Sequence, residues 1–355
     1  MSREPSAPPE SDRFPGAPHP RETLSFFGNE PAERALLDAY RGGRLAQAFI
    51  LGGPEGIGKA TLAWRFARFL QAHPDPRAAA VQEARSLFVP AEAPAARRMT
   101  AQALPDVFSL RRAWNEKSRR HYTEIRVDDV REVTRAFHSA SGVGGWRVAI
   151  VDTADELNRS SANALLKIIE EPPERSVFLF VAHRPARILA TIRSRCRKLA
   201  LEPLGEQDIA AATLSLGAPW ADRPEADIRR AAQDARGSVR AALRLLDGEG
   251  AAFDSAIQAV LAALPRVDWN AVHALADRLT GRDNEEAFES FVRALHAFLD
   301  ARVRAGALRG AGSVIGYAEA FEEISVAVRE TEVFNFDKKA LIVSIFARLE
   351  RAGRG

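Results

Sequence analysis

Residues 48–61 read Ala48-Phe49-Ile50-Leu51-Gly52-Gly53-Pro54-Glu55-Gly56-Ile57-Gly58-Lys59-Ala60-Thr61: an apolar run, a glycine-rich turn and the start of a helical pattern. The run 48–51 has the continuity of a strand buried on both faces, and Leu62, Phe66 and Phe69 share one side of the helix that follows Lys59. A glycine-rich turn between a strand and a helix lets backbone N–H groups close around phosphate oxygens, and the helix N-terminus adds favourable potential. Lys59 stands where it would reach the terminal phosphates. Such a lysine is ordinarily followed by Ser or Thr, whose hydroxyl holds Mg²⁺. Here Ala60 takes that place, and Thr61 comes one residue late, pointing about 100° further round the helix. The plain alternative is a glycine-rich turn that holds no ligand.

Working outward, short apolar runs predict strands at Val107–Leu110, Glu124–Val127, Arg147–Asp152, Ser176–Ala182 and near Lys198–Leu201. Helical spacing falls between them. Pro31 suits the first turn of a helix carrying Leu36, Leu37 and Tyr40, and Asp128 is an expected N-cap for one burying Val130, Val133 and Phe137. Another helix covers 159–171 and stops against Pro172-Pro173, and a further one runs through Ile188 and Ile192. Strands alternating with helices predict a parallel sheet covered on both faces. Residues 1–22, rich in Pro, Ser, Glu and Arg, read as a disordered leader, and 72–105 as a loop or irregular insertion. From Glu206 the pattern is helical, with a break near Asp247–Gly250.

A second chemical signal is Val148-Ala149-Ile150-Val151-Asp152, an apolar strand ending in a carboxylate. In nucleotide hydrolases built on a phosphate loop, such an Asp helps to hold Mg²⁺. An adjacent Glu would polarise the attacking water, but Thr153 follows, and threonine is no base near neutral pH. Asp155 and Glu156 are two and three positions late and are expected to point elsewhere.

Composition narrows the setting. The 355 residues are 46% hydrophobic and 27% charged, with 50 Lys plus Arg against 47 Asp plus Glu for a net charge of +3. Whole-chain charge therefore does not mark a nucleic-acid binder; a DNA contact would need a local patch. The one cysteine, Cys196, permits no internal disulfide or four-thiolate zinc site. The first twenty residues hold six prolines and no apolar stretch, so they do not read as a signal peptide. No run of about 18 apolar residues suggests a membrane span. These features predict a soluble cytoplasmic protein.

Asn163-Ala164-Leu165-Leu166-Lys167-Ile168-Ile169-Glu170-Glu171-Pro172-Pro173, followed by Ser194-Arg195-Cys196, resembles the bacterial DNA polymerase III clamp-loader AAA+ family. The order of motifs agrees from about Leu24 to Asp247. Gly237-Ser238-Val239-Arg240 resembles the family's sensor motif, and Asn335-Phe336-Asp337-Lys338-Lys339-Ala340 its collar. The resemblance implies a RecA-like AAA+ α/β domain at 23–203, a small helical lid at 204–248 and a helical collar for oligomerisation at 249–355.

It also implies roles. Gly53, Pro54, Glu55, Gly56, Ile57, Gly58, Lys59, Ala60, Thr61, Asp152 and Arg240 would form a nucleotide site holding ATP or ADP weakly. Arg195 would be an arginine finger inserted into a neighbouring subunit's ATP site. Ala60, Thr153 and a Val181-Ala182-His183 segment lacking the expected polar sensor residue all depart from the family's ATPases, so the expected role is a non-hydrolysing stator. Its partners would be ATPase subunits, a clamp-opening subunit, the sliding clamp and, through the complex, primed DNA; no membrane is expected. The family's four-cysteine zinc module is replaced by the 72–105 insertion, so no zinc or other metal is expected. The rival reading is an active AAA+ ATPase using Thr61 and Asp155 or Glu156. The basic stretch with Arg111, Arg112, Lys117, Arg119, Arg120 and His121 reads as a solvated charged hairpin or a DNA contact, its Trp114 as packing. Leu341, Ile342, Ile345, Phe346 and Leu349 read as core or subunit interface.

Overall fold

The structure, a computed structural model, describes residues 8–117, 120–122, 124–138, 145–280, 285–307, 315–334 and 336–354. It divides into two compact units, Met1–Leu243 and Arg244–Gly355.

The first unit begins with α1 (Glu30–Arg41), β1 (Ala48–Gly52), α2 (Lys59–Ala72), α3 (Ala79–Gln82) and α4 (Pro94–Thr100). Next come β2 (Val107–Leu110), the two-residue strands β3 (Trp114–Asn115) and β4 (Arg120–His121), α5 (Val127–His138) and β5 (Arg147–Val151). α6 (Arg159–Glu170), β6 (Ser176–Ala182), α7 (Ala190–Arg193) and β7 (Arg197–Ala200) complete the α/β part. α8 (Glu206–Ser215), α9 (Glu225–Asp234) and α10 (Val239–Leu246) follow.

Among the described residues the main sheet has order β2-β5-β6-β1-β7, and every pairing in it is parallel. The apolar runs are continuous because both faces are covered. Ala48, Ile50, Ala149, Val151, Phe178 and Phe180 pack with Val130 and Phe137 of α5 and Leu165, Ile168 and Ile169 of α6. The alternate residues Phe49, Leu51, Val148, Ile150, Leu179 and Val181 are equally buried; strand alternation turns them to the other face, and α2 packs against β1, β5 and β6. Local chemistry sets the helix ends. Asn158 caps α6 by accepting from the Ser161 N–H at 2.8 Å, and Pro31 lies in the first turn of α1.

Several expectations change. Residues 8–22 are not a loose leader: Ala17, His19 and Arg21 are buried, for reasons of charge pairing described below. The 72–105 segment contains α3 and α4 and buries Val81, Leu87, Val89 and Met99. Residues 124–127 are not a strand. Ile125 makes a single bridge to Leu157, and Val127 already begins α5, placing Asp128 and Asp129 in its first turn. By contact the first unit continues through the segment after β7 as far as Leu243. The division falls inside α10, which runs on to Leu246.

The second unit comprises α11 (Glu249–Ala262), α12 (Trp269–Leu279), α13 (Glu285–Ala307), α14 (Ile315–Phe334) and α15 (Lys338–Arg354). Leu341, Ile342, Ile345, Phe346 and Leu349 join Ile257, Leu261, Val272, Leu275, Phe291, Leu295 and Ile324 in one core, so the stripe is interior packing. Asn335 and Arg119 lie outside the described residues. No helix among the described residues is long and apolar enough to cross a membrane.

Candidate functional site

The glycine-rich turn lies at the carboxyl edge of the parallel sheet, where loops from adjacent strands converge. Gly56 (φ 76°) and Gly58 (φ 91°) adopt backbone conformations that side chains rarely take. A Cβ on Gly56 would meet Ser238 Oγ at 2.2 Å and Arg240 Cβ at 2.7 Å, so glycine is what lets the 238–240 backbone close on the turn. The Val239 N–H donates to the Gly56 carbonyl at 2.9 Å, and Arg240 pairs with Glu55 at 3.0 Å. Arg240 thus lies against the glycine-rich turn.

Lys59 is buried at the start of α2 and donates to the Pro54 carbonyl. Burial pulls its ammonium down to about 8, against the raising influence of Asp152, Glu55 and Asp155. Asp152 follows β5 and is also buried. Burial pushes its carboxyl up to about 6, helped by the nearby Asp12 carboxylate and opposed by Thr153, Lys59 and Arg240. The Thr153 hydroxyl donates to Asp152 Oδ2 at 3.2 Å, from a left-handed backbone with φ 52°. Gly53, Pro54 and Ile57 shape the turn, while Ala60 brings no hydroxyl and Thr61 follows it on α2.

Two residues at this edge were discounted in the sequence. Asp155 was expected to point away, yet its carboxylate accepts from the backbone N–H of His183 at 2.9 Å and of Arg184 at 3.1 Å. It thereby ties the loop after β5 to the end of β6. His183, from the segment said to lack a polar residue, feels both Lys59 and Glu55, and burial pulls its imidazole down to about 4. The usable signal was position: His183 is the first polar residue after an apolar strand, as Asp152 is after β5. Thr153, which stands directly after Asp152, brings a hydroxyl that is no base near neutral pH.

Arg195 is elsewhere. Gly52 pairs with Ala200 and Phe49 with Arg197, so β1 and β7 run in register and Arg195 precedes the amino end of β7. β7 spans Arg197–Ala200, so at about 3.3 Å per residue Arg197 stands roughly 10 Å from the level of Ala200, and Arg195 lies in the turn that precedes it. Its side chain is 42% exposed. The guanidinium donates to the Thr191 carbonyl at 2.8 Å and pairs with Glu170 at 2.7 Å. The two motif segments, 163–173 and 194–196, are thus joined in space by Glu170 and Arg195. Beside them, burial pushes the Cys196 thiol up to about 12.

Two arginines of the basic stretch are paired inside the chain. Arg111 pairs with Glu10 at 2.7 Å and Asp12 at 2.8 Å, and Arg112 with Glu156 at 3.0 Å. Trp114 packs edge-on against His121, with ring centroids 5.0 Å apart, in keeping with the packing reading. Among the described residues no group of three or more His, Cys, Asp or Glu side chains could hold a metal ion.

A parallel sheet whose carboxyl edge gathers a glycine-rich turn, a buried lysine and a strand-end carboxylate, closed by a helical segment bearing an arginine, defines a P-loop protein of the AAA+ type. The family profile described as DNA polymerase III, delta subunit, matches residues 28–205. The DNA polymerase III subunit delta' of Pseudomonas aeruginosa is 36% identical over 168 residues, covering 47% of this chain and 46% of that protein. Its counterpart in Escherichia coli K12 is 32% identical over 241 residues, covering 67% and 66%. The tau/gamma subunit of Haemophilus influenzae is 28% identical over 232 residues, covering 64% and 31%. This chain belongs to the DNA polymerase III delta-prime family of clamp-loader subunits. It spans about half the length of the first relative and just under two thirds of the second.

Proposed function

We propose that this chain is the stator of a cytoplasmic clamp-loader ring, lending Arg195 to the ATP site of an adjacent ATPase subunit while hydrolysing little or no ATP itself. The observation that carries this reading is the placement of Arg195. It lies before the amino end of β7, while the chain's own phosphate loop is at the carboxyl edge, and its side chain is 42% exposed, which supports a role toward another molecule. Fingers of this kind are worth roughly 10³–10⁵ in rate in related NTPases. In this reading the helical unit 244–355 is the collar joining the ATPase and clamp-opening subunits, and the assembled ring places the sliding clamp on primed DNA.

The chain's own site fits a nucleotide only in part. Lys59 and the 53–58 turn suit phosphate oxygens, and Arg240 could reach the same group. A bound Mg²⁺-nucleotide would bring the phosphoryl group and its metal, but Ala60 offers that metal no hydroxyl, and Thr153 rather than a carboxylate follows Asp152. Binding without turnover follows. The rival motor reading requires steady ATP hydrolysis by the purified chain, abolished by Lys59→Ala. The stator reading expects no turnover above that of the Lys59→Ala control; turnover of about 1 s⁻¹ or more, ordinary for an enzyme, would sink it.

A further inference from the structure

The nucleotide edge is crossed by residues 10–21, a segment that neither the motifs nor the proposed role accounts for. Its acidic side chains sit among cations. Arg21 takes Glu10 in a two-pronged pair at 2.8 and 2.9 Å, and Arg111 takes both Glu10 and Asp12. His19 Nε2 lies 2.9 Å from Asp12, whose side chain is only 1% exposed. Arg111 locates this cluster. Leu110 pairs with Val151, and the Asp152 N–H donates to the Leu110 carbonyl at 2.8 Å, so Arg111 and Asp152 leave adjacent strands side by side at the carboxyl edge. Asp12, held on Arg111, is therefore at the site.

The segment then reaches the helical part that closes on the loop. The Arg240 guanidinium, paired on one side with Glu55 of the phosphate loop, lies 5.4 Å from the centroid of the Phe14 ring. Phe14 packs edge-on against Trp220 at 5.7 Å, and Trp220 Nε1 donates to the Gly16 carbonyl at 2.8 Å. At its other end the segment is fixed to α2: His19 packs edge-on against Trp64 at 5.6 Å, and Arg68 donates to the Arg21 carbonyl at 2.7 Å. A carboxylate is thus held beside Asp152, and an aromatic ring lies against Arg240, the arginine that pairs with Glu55 of the loop.

We infer that Glu10–Phe14 is an internal occupant of this chain's own nucleotide site, competing with nucleoside triphosphate through the charge of Asp12 and the ring of Phe14. This rests on reading 53–59 as a phosphate loop, and it supplies a reason why that loop binds nucleotide weakly. A ligand and a segment that exclude each other are thermodynamically linked: loosening either favours the other by the same factor.

The test uses the full chain and its Asp12→Asn/Phe14→Ala variant, which leaves the buried anchors His19, Arg21 and Arg68 in place. Binding of an N-methylanthraniloyl-labelled ATP with Mg²⁺ is followed by fluorescence anisotropy, with circular dichroism checking the fold. The variant should bind about tenfold more tightly or better, and Lys59→Ala in the variant background should remove the gain. In the unmodified chain, excess Mg²⁺-ATP should speed tryptic cleavage after Arg13, a readout that needs no substitution. A folded variant with unchanged affinity, or cleavage after Arg13 insensitive to ATP at saturating concentration, overturns the inference. A gain that survives Lys59→Ala also overturns it, since binding would then lie outside the loop. The stator reading fails separately, if the unmodified chain turns over ATP or Arg195 proves dispensable in the assembled ring.

Discussion

Replacing Asp155 by alanine should destabilise the α/β unit by about 2 kcal/mol. The carboxylate accepts two backbone N–H groups, from His183 at 2.9 Å and Arg184 at 3.1 Å. Hydrogen bonds to a charged acceptor contribute roughly 1.5–3 kcal/mol each when shielded, and the Arg184 donor is exposed, so the pair is placed at about 2 kcal/mol rather than at the sum of the upper values. In a unit of this size, 1 kcal/mol moves the melting temperature by about 2–4 °C, giving an expected fall of about 4–8 °C. Asp155→Asn keeps one acceptor oxygen and should lose roughly half as much. Asp128 provides the contrast: its side chain is 79% exposed and its i,i+3 pair with Arg131 spans 3.4 Å. Asp128→Ala should therefore change stability by less than about 0.5 kcal/mol. Differential scanning calorimetry with parallel urea melts measures all three. Equal melting temperatures for Asp155→Ala and Asp128→Ala would refute the assignment of Asp155 as the tie between β5 and β6.

His183 predicts a pH effect. Its imidazole is held at about 4 by burial, below the ordinary 6.5, so as pH falls through 6.5 the unfolded chain takes up a proton that the folded chain refuses. The stability involved is fully present above 6.5 and is lost progressively towards pH 4, by up to roughly 3 kcal/mol. His183→Gln should flatten the melting temperature between pH 7 and 4.5, and a slope identical to that of the parent chain would count against it. Gly56→Ala would place a Cβ 2.2 Å from Ser238 Oγ at φ 76°. It should lower stability by about 1–3 kcal/mol in a chemical denaturation series, whereas a neutral result would mean that the 238–240 segment does not close on the loop.

How much of this was legible in sequence depended on the range of the force involved. The strands of the sheet were legible because burial on both faces leaves continuous apolar runs such as Val177–Val181, and the phosphate loop because its glycines are demanded by local backbone geometry. The two-residue strands at 114–115 and 120–121 are too short to carry a period. Ile125 and Val127 imitated a strand, but Asp128 and Asp129 favour a helix N-terminus, and Val130 and Phe137 sit on the buried side of α5. Residues 8–22 were misread because apolar content was taken as the measure of order. They are held by Glu10, Asp12, His19, Arg21 and Arg111, and by Phe14 against Trp220, pairings up to about two hundred positions apart that no local pattern encodes. In the same way, Glu170 and Arg195 were each visible as motif residues, while their pairing was not.

The central claim is that Arg195 acts on a neighbour's nucleotide, and the most direct measurement is DNA- and clamp-stimulated ATP turnover by the reconstituted loader carrying Arg195→Ala. Assembly is checked by size-exclusion chromatography, with Arg195→Lys as the charge-preserving control. Loss of the planar two-pronged donor should lower turnover by about tenfold or more with assembly intact, and lysine should recover little of it, because a point charge does not reproduce the fork. Full turnover by an intact ring containing Arg195→Ala would contradict the account.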